Sequence, residues 1–128
     1  MSFGKKLSRF FYNQAETSDN HWDKELQTRY YKTTKDKGLA ILEQLVQGSQ
    51  NYQLNSISAE HGEISFRIVK GKKAFVIATV IMVRPYQTAI DFNVSSESGL
   101  PFDFGHSSKL VKQLYEKLNK ELQLIDKN

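Results

Sequence analysis

Three histidines, His21, His61 and His106, and the loop residues Asp103, Gly105 and Ser107 are the side chains of this chain best suited to chemistry. Asp103 and His106 stand close enough in sequence to form an acid–base pair. No third residue completes such a group. The histidines lie far apart and follow no His-x-x-x-His ligand spacing. There is no cysteine, so a thiolate nucleophile, a thiolate metal site and a disulfide are all excluded. Asp103-Phe104-Gly105 spells the magnesium loop of protein kinases, but the glycine-rich loop, strand lysine and catalytic loop are missing. These residues therefore nominate no catalytic residue, no metal ligand and no cofactor. Asp103, Gly105, His106 and Ser107 can still be read as an anion or ligand loop. Free N–H groups at a helix start favour negative charge, although Asp103 would oppose an anion. The plainer account is favoured. Phe102 and Phe104 anchor the loop, Asp103 bonds nearby backbone, and Gly105 supplies an unusual dihedral.

The elements that must position these residues follow from periodicity. The chain has 128 residues, enough for one domain with a core that needs no covalent staple. Leu26 to Lys32 reads as a first strand, from Thr28, Tyr30 and Tyr31. Thr33 or Thr34 caps a helix over Lys35–Gln47, whose stripe is Leu39, Leu42 and Val46, with Gly48 suited to a left-handed C-cap. Four strands follow. Tyr52 to Ala59 breaks alternation and calls for a bulge. Glu63 to Val69 places Ile64, Phe66 and Ile68 on one side. Ala74 to Arg84 is apolar on both faces, and Pro85-Tyr86-Gln87 turns the chain. Thr88 to Ser96 places Ile90, Phe92 and Val94 inward and Asp91, Asn93 and Ser95 outward. Ser107 or Ser108 caps a last helix to about Ile125, with Leu110, Leu114, Leu118 and Leu122 in line. The expected fold is α+β: an antiparallel five-stranded sheet with two helices on one face, in the order β-α-β-β-β-β-α. That order matches half of a TATA-binding-protein fold and, less closely, helix-grip domains.

Residues 1–25 read as an appendage and residues 26–128 as the single α+β domain. In the appendage Phe3, Leu7, Phe10 and Phe11 share one side of a short amphipathic helix, opposite Lys5, Lys6 and Arg9. Asn13 to Glu25 reads as linker. The strand Ala74–Arg84 raises a physical problem. An antiparallel sheet with one wet face should not carry an apolar strand on both sides. Something is expected to cover the second side: the N-terminal helix, another copy of the chain, or another protein. The expected interaction surface is Val76, Ala78, Val80 and Met82, with Phe3, Leu7, Phe10 and Phe11. Lys70, Lys72 and Lys73 join Lys5, Lys6 and Arg9 as a basic patch in a chain of net charge +4.

The second half resembles an uncharacterised bacterial family, the domain of unknown function numbered fourteen-ninety-nine. The residues that carry the likeness are Gly62-Glu63-Ile64, the strand Asp91 to Ser98, then Gly99 and Asp103-Phe104-Gly105, with Arg29-Tyr30-Tyr31 ahead of them. The likeness runs from Arg29 to Leu122. This chain has Val94 and His106-Ser107 where the family often has Arg and Asn. The resemblance implies a small cytosolic protein and no particular activity.

The reading that results is a cytoplasmic, non-catalytic binding or protein-interaction module, with a homodimer or protein partner meeting the sheet. One alternative is a binder of nucleic acid or an anionic membrane surface, through the basic helix and lysine-rich hairpin. Another is a small-ligand carrier or enzyme with a cavity between helices and sheet.

Overall fold

The computed structural model describes residues 14–97 and 105–125. The expected helix over Ser2–Tyr12 and the loop residues Gly99 to Phe104, Asp103 among them, lie outside that range. Eight named elements follow in order: β1 (Gln14–Glu16), β2 (Arg29–Tyr31), α1 (Lys35–Gln47), β3 (Tyr52–Ser58), β4 (Glu63–Ile68), β5 (Ala74–Arg84), β6 (Gln87–Ser96) and α2 (His106–Glu121). The fold is α+β, with a six-stranded antiparallel sheet rather than five strands. Strands β3 to β6 form a meander joined by short turns.

The additional strand arises because one edge of the sheet is a single strand broken in two. Both β1 and β2 pair antiparallel with β6, β1 along Asn93–Ser95 and β2 along Thr88–Ile90. Between them the chain leaves the sheet and closes on itself, Ser18 N–H donating to the Leu26 carbonyl and Thr28 N–H to that of Ser18. The stretch expected to be linker is thus partly structural, with Ala15 and Thr17 buried. Three residues around a lone alanine are too few to show alternation.

Helix α1 spans the expected residues. Thr34 caps it by accepting from Lys37 N–H, while Gly48 closes it at φ −83° rather than in the left-handed region. Helix α2 differs at both ends. Its N-cap is Gly105 at φ 82°, and Ser107 and Ser108 lie inside the first turn rather than at the cap. It stops at Glu121, because Leu122 turns extended. The tail then runs along β2, Lys32 N–H donating to the Gln123 carbonyl and Ile125 N–H to that of Tyr30. Those bonds satisfy a strand edge that would otherwise be open. No helix among the described residues is long and apolar enough to cross a membrane.

The core lies between the sheet and the two helices. Ile64, Phe66, Val76, Ala78, Val80, Ile90, Phe92 and Val94 meet Leu39, Leu42 and Val46 of α1 and Val111, Leu114, Tyr115 and Leu118 of α2. Each large apolar side chain so buried contributes roughly 1.5–3 kcal/mol. Phe92 and Tyr115 pack edge to face with ring centroids 5.0 Å apart, and the Tyr115 hydroxyl donates to the Ile90 carbonyl at 2.7 Å. Burial pushes the Tyr31 and Tyr115 phenols well above the ordinary tyrosine range.

Candidate functional site

Strand β5 has two apolar faces, and the fold decides between them. Val76, Ala78 and Val80 face the helices and are buried, so they belong to the core and not to an outer surface. This corrects the expected interaction surface. The hairpin with β6 carried the needed signal, because Val76, Ala78 and Val80 pair with Val94, Phe92 and Ile90, the inward residues of β6. The opposite row is Phe75, Ile77, Thr79, Ile81 and Val83. Phe75, Ile77 and Thr79 are half-buried. Beyond Thr79 the strand outruns β4, whose pairing with β5 ends at Glu63–Thr79. The projecting hairpin exposes Ile81 (52%), Met82 (44%), Val83 (50%) and Tyr86 (63%). Of the four expected strand residues, Met82 alone is at the surface. Phe3, Leu7, Phe10 and Phe11 lie outside the described residues.

The hairpin tip is strained. Pro85 and Tyr86 form a two-residue connection, with Arg84 paired to Gln87 and a register shift before it. Tyr86 has φ 58°, and among the described residues it is the one non-glycine with positive φ. A bulky L-residue pays about 1–2 kcal/mol in that region. Glycine is the usual solution there.

Polar residues line the apolar row on both sides. On the β4 side, Ser65 is buried; its hydroxyl accepts from Asn55 and shares a hydrogen bond with the Ser56 hydroxyl. Arg67 forms a two-pronged pair with Glu97 at 3.0 and 2.7 Å. The guanidinium holds the Glu97 carboxyl below the usual carboxylate range. On the β6 side, Asn93 accepts from Gln14 at 3.2 Å.

Asp91 sits where the broken edge strand leaves and returns. Its Oδ1 accepts from the Thr17 hydroxyl at 2.7 Å and the Thr28 hydroxyl at 2.6 Å. Thr17 Oγ1 also accepts the Phe92 N–H at 2.9 Å. Both threonines are buried. A carboxylate whose neighbouring hydroxyls are already committed to backbone and to each other's acceptor is a structural clasp. Nearby, the Tyr30 hydroxyl donates to Asp19. That bond, with burial second, pushes the Tyr30 phenol up to about 12. We expect Asp91→Ala to cost about 3 kcal/mol, because two buried hydroxyls lose a charged acceptor. Urea unfolding measures it, and hydrogen exchange over residues 18–27 should quicken. A cost below about 0.5 kcal/mol would show the clasp to be ornamental.

Gly105, His106 and Ser107 lie together at the start of α2, with Ser107 buried. Their partner Asp103 lies outside the described residues. Lys70, Lys72 and Lys73 stand exposed at the β4–β5 turn. That turn is at the opposite end of β5 from the Pro85–Tyr86 tip, about 33 Å away at ordinary strand rise. His21 and His61 belong to separate turns, His21 Nδ1 accepting from Asp23 N–H and His61 bonding Ser58. Among the described residues no three His, Asp or Glu side chains are grouped to hold a metal ion. Comparison with protein-family models, curated proteins and solved structures finds no match for this chain.

Proposed function

We propose that this protein is a non-catalytic interaction module whose working surface is the outer row of β5 and the hairpin that continues it. The observation that carries this reading is the tip itself. Four large apolar side chains are presented together on a projecting hairpin, and one of them, Tyr86, occupies a backbone conformation that glycine would hold more cheaply. Strain of this kind persists where a side chain is needed for something other than stability. Clustered exposed apolar groups mark surfaces that meet a partner. The alternative, binding of nucleic acid or an anionic membrane through lysines, is less favoured. The lysine-rich turn and the apolar tip lie at opposite ends of the sheet and do not merge into one amphipathic surface. No family likeness contributes to this proposal, which rests on the surface alone.

The test uses the full chain and the apolar dye 8-anilinonaphthalene-1-sulfonate. The native protein should bind the dye, and Ile81→Asp/Val83→Asp should lose most of that binding with an unchanged far-ultraviolet spectrum. Tyr86→Gly is the sharper variant. It should stabilise the fold by about 1 kcal/mol while weakening dye binding. Dye binding that is absent from the native chain, or indifferent to all three substitutions, would remove the proposal.

A further inference from the structure

Sheet edges in monomeric proteins usually carry charge, proline or a cover, because bare backbone groups recruit other strands. The two edges of this sheet are treated very differently. The β1/β2 edge is short and broken, and the tail covers β2. The β3 edge is seven residues long and almost wholly exposed, with no described strand beyond it. It also carries no charge. From Gln44 to Ala59 the chain has no Asp, Glu, Lys or Arg, its longest such run, although a quarter of all residues are charged.

The backbone of β3 alternates between its partner and the outside. Val69 N–H donates inward to the Asn51 carbonyl, so Leu54 directs its own N–H and C=O groups outward, while the Tyr52 N–H closes the preceding turn on the Ser49 carbonyl. After the bulge between Leu54 and Ser56, Ile57 does the same, since Ile57 pairs with Ile64 as Leu54 does with Phe66. Leu54 and Ile57 are also the exposed apolar side chains of the strand, at 37% and 41%. Outward backbone and exposed apolar surface therefore coincide at the same two residues.

We infer that β3 is a self-pairing edge, which joins a second copy of this chain by antiparallel addition. A two-fold axis through Asn55–Ser56 sets Leu54 of one copy opposite Ile57 of the other, twice, with the side chains on the helix face. The choice of a second copy rests on charge. Molecules of net charge +4 repel one another, and like charges opposed across strands destabilise pairing. The strand brings no charge of its own to the contact, and the nearest cation, the Lys117 ammonium, is held on the Tyr52 ring and hydroxyl at the strand's first residue, so two such molecules can approach at Leu54 and Ile57 with little of that opposition. An isologous contact of this kind closes at two copies and leaves no free site for further growth through β3. The contact is small, so the dimer is of the weak class. The β5–β6 tip is separated from β3 by β4 and remains available, so this pairing does not depend on the hairpin reading.

Sedimentation of the full chain between about 10 μM and 1 mM tests it, a span suited to weak association. The weight-average mass should rise with concentration from 14.8 kDa toward twice that value. Leu54→Lys/Ile57→Lys should weaken association at least about tenfold, and Ile81→Asp/Val83→Asp should leave it unchanged. Hydrogen exchange on the unaltered chain is the second readout. The Leu54 and Ile57 amides should slow as concentration rises, and those of Gln53 and Ser56 should not. A monomer throughout the range overturns the inference, as does association that survives the double lysine variant. Loss of association in the hairpin variant instead would transfer self-pairing to the tip.

Discussion

Raising the pH above 10 should unfold this protein steeply, with a loss of about 3 kcal/mol of stability per pH unit. Tyr31 and Tyr115 are fully buried, and burial raises both phenols. In the unfolded chain a tyrosine loses its proton near pH 10. Above that pH the unfolded state binds fewer protons than the native state, so stability falls as pH rises. The contribution is complete below the unfolded value and is lost on the way up to the folded one. Each retained proton is worth about 1.4 kcal/mol per pH unit, and the two buried rings give the stated slope, to which Tyr30, raised through a solvent-screened bond to Asp19, adds little. A domain of this kind has roughly 5–15 kcal/mol in total, so a few pH units exhaust it. Tyrosinate absorbance and far-ultraviolet dichroism followed together are the measurement. Part of the tyrosinate signal should appear in one step with the loss of structure. Tyr31→Phe should make the stability slope shallower. Smooth tyrosinate formation near pH 10 with the fold intact would contradict the burial of these rings.

Gly62→Ala is expected to be the most damaging single-methyl change in the described residues, at about 3 kcal/mol. Gly62 has φ 65°, and a Cβ there would stand 2.3 Å from the Val80 carbonyl oxygen. That oxygen is backbone and cannot swing aside. The Gly62 carbonyl also accepts the Val80 N–H at 2.7 Å, the last bond between the β3–β4 turn and β5. Gly71→Ala separates the two causes. Gly71 has φ 76° but nothing within 4 Å of a Cβ, so it should cost only the dihedral term of about 1 kcal/mol. Urea unfolding of both variants decides the matter. Equal costs would mean that the close approach to Val80 relaxes freely.

Local chemistry was enough to read some elements to the residue. Helix α1 is bounded by a threonine cap and by the end of its apolar stripe, and β5 by the lysine-rich turn and Pro85. The bulge in β3 showed as a break in alternation between Leu54 and Ile57. What stayed hidden was set by distant partners. Nothing near Ala15 announces a strand, because β1 exists through β6. The Asp91 clasp joins residues 74 and 63 positions apart. The end of α2 is hidden in the sequence because Leu122 continues the helical stripe while packing from an extended backbone. The face of β5 was legible in principle, through its pairing with β6. Apolarity on both sides concealed which row the helices had claimed.

The divided edge also bears on synthesis from the N-terminus. Residues 14–31 leave the ribosome long before the strand they lie against, since Thr17 waits for Phe92 and Tyr30 for Ile125. The meander can assemble from neighbours as each hairpin emerges. The stretch around Thr17 and Tyr30 thus finds its place only after the whole meander and α2 have been made.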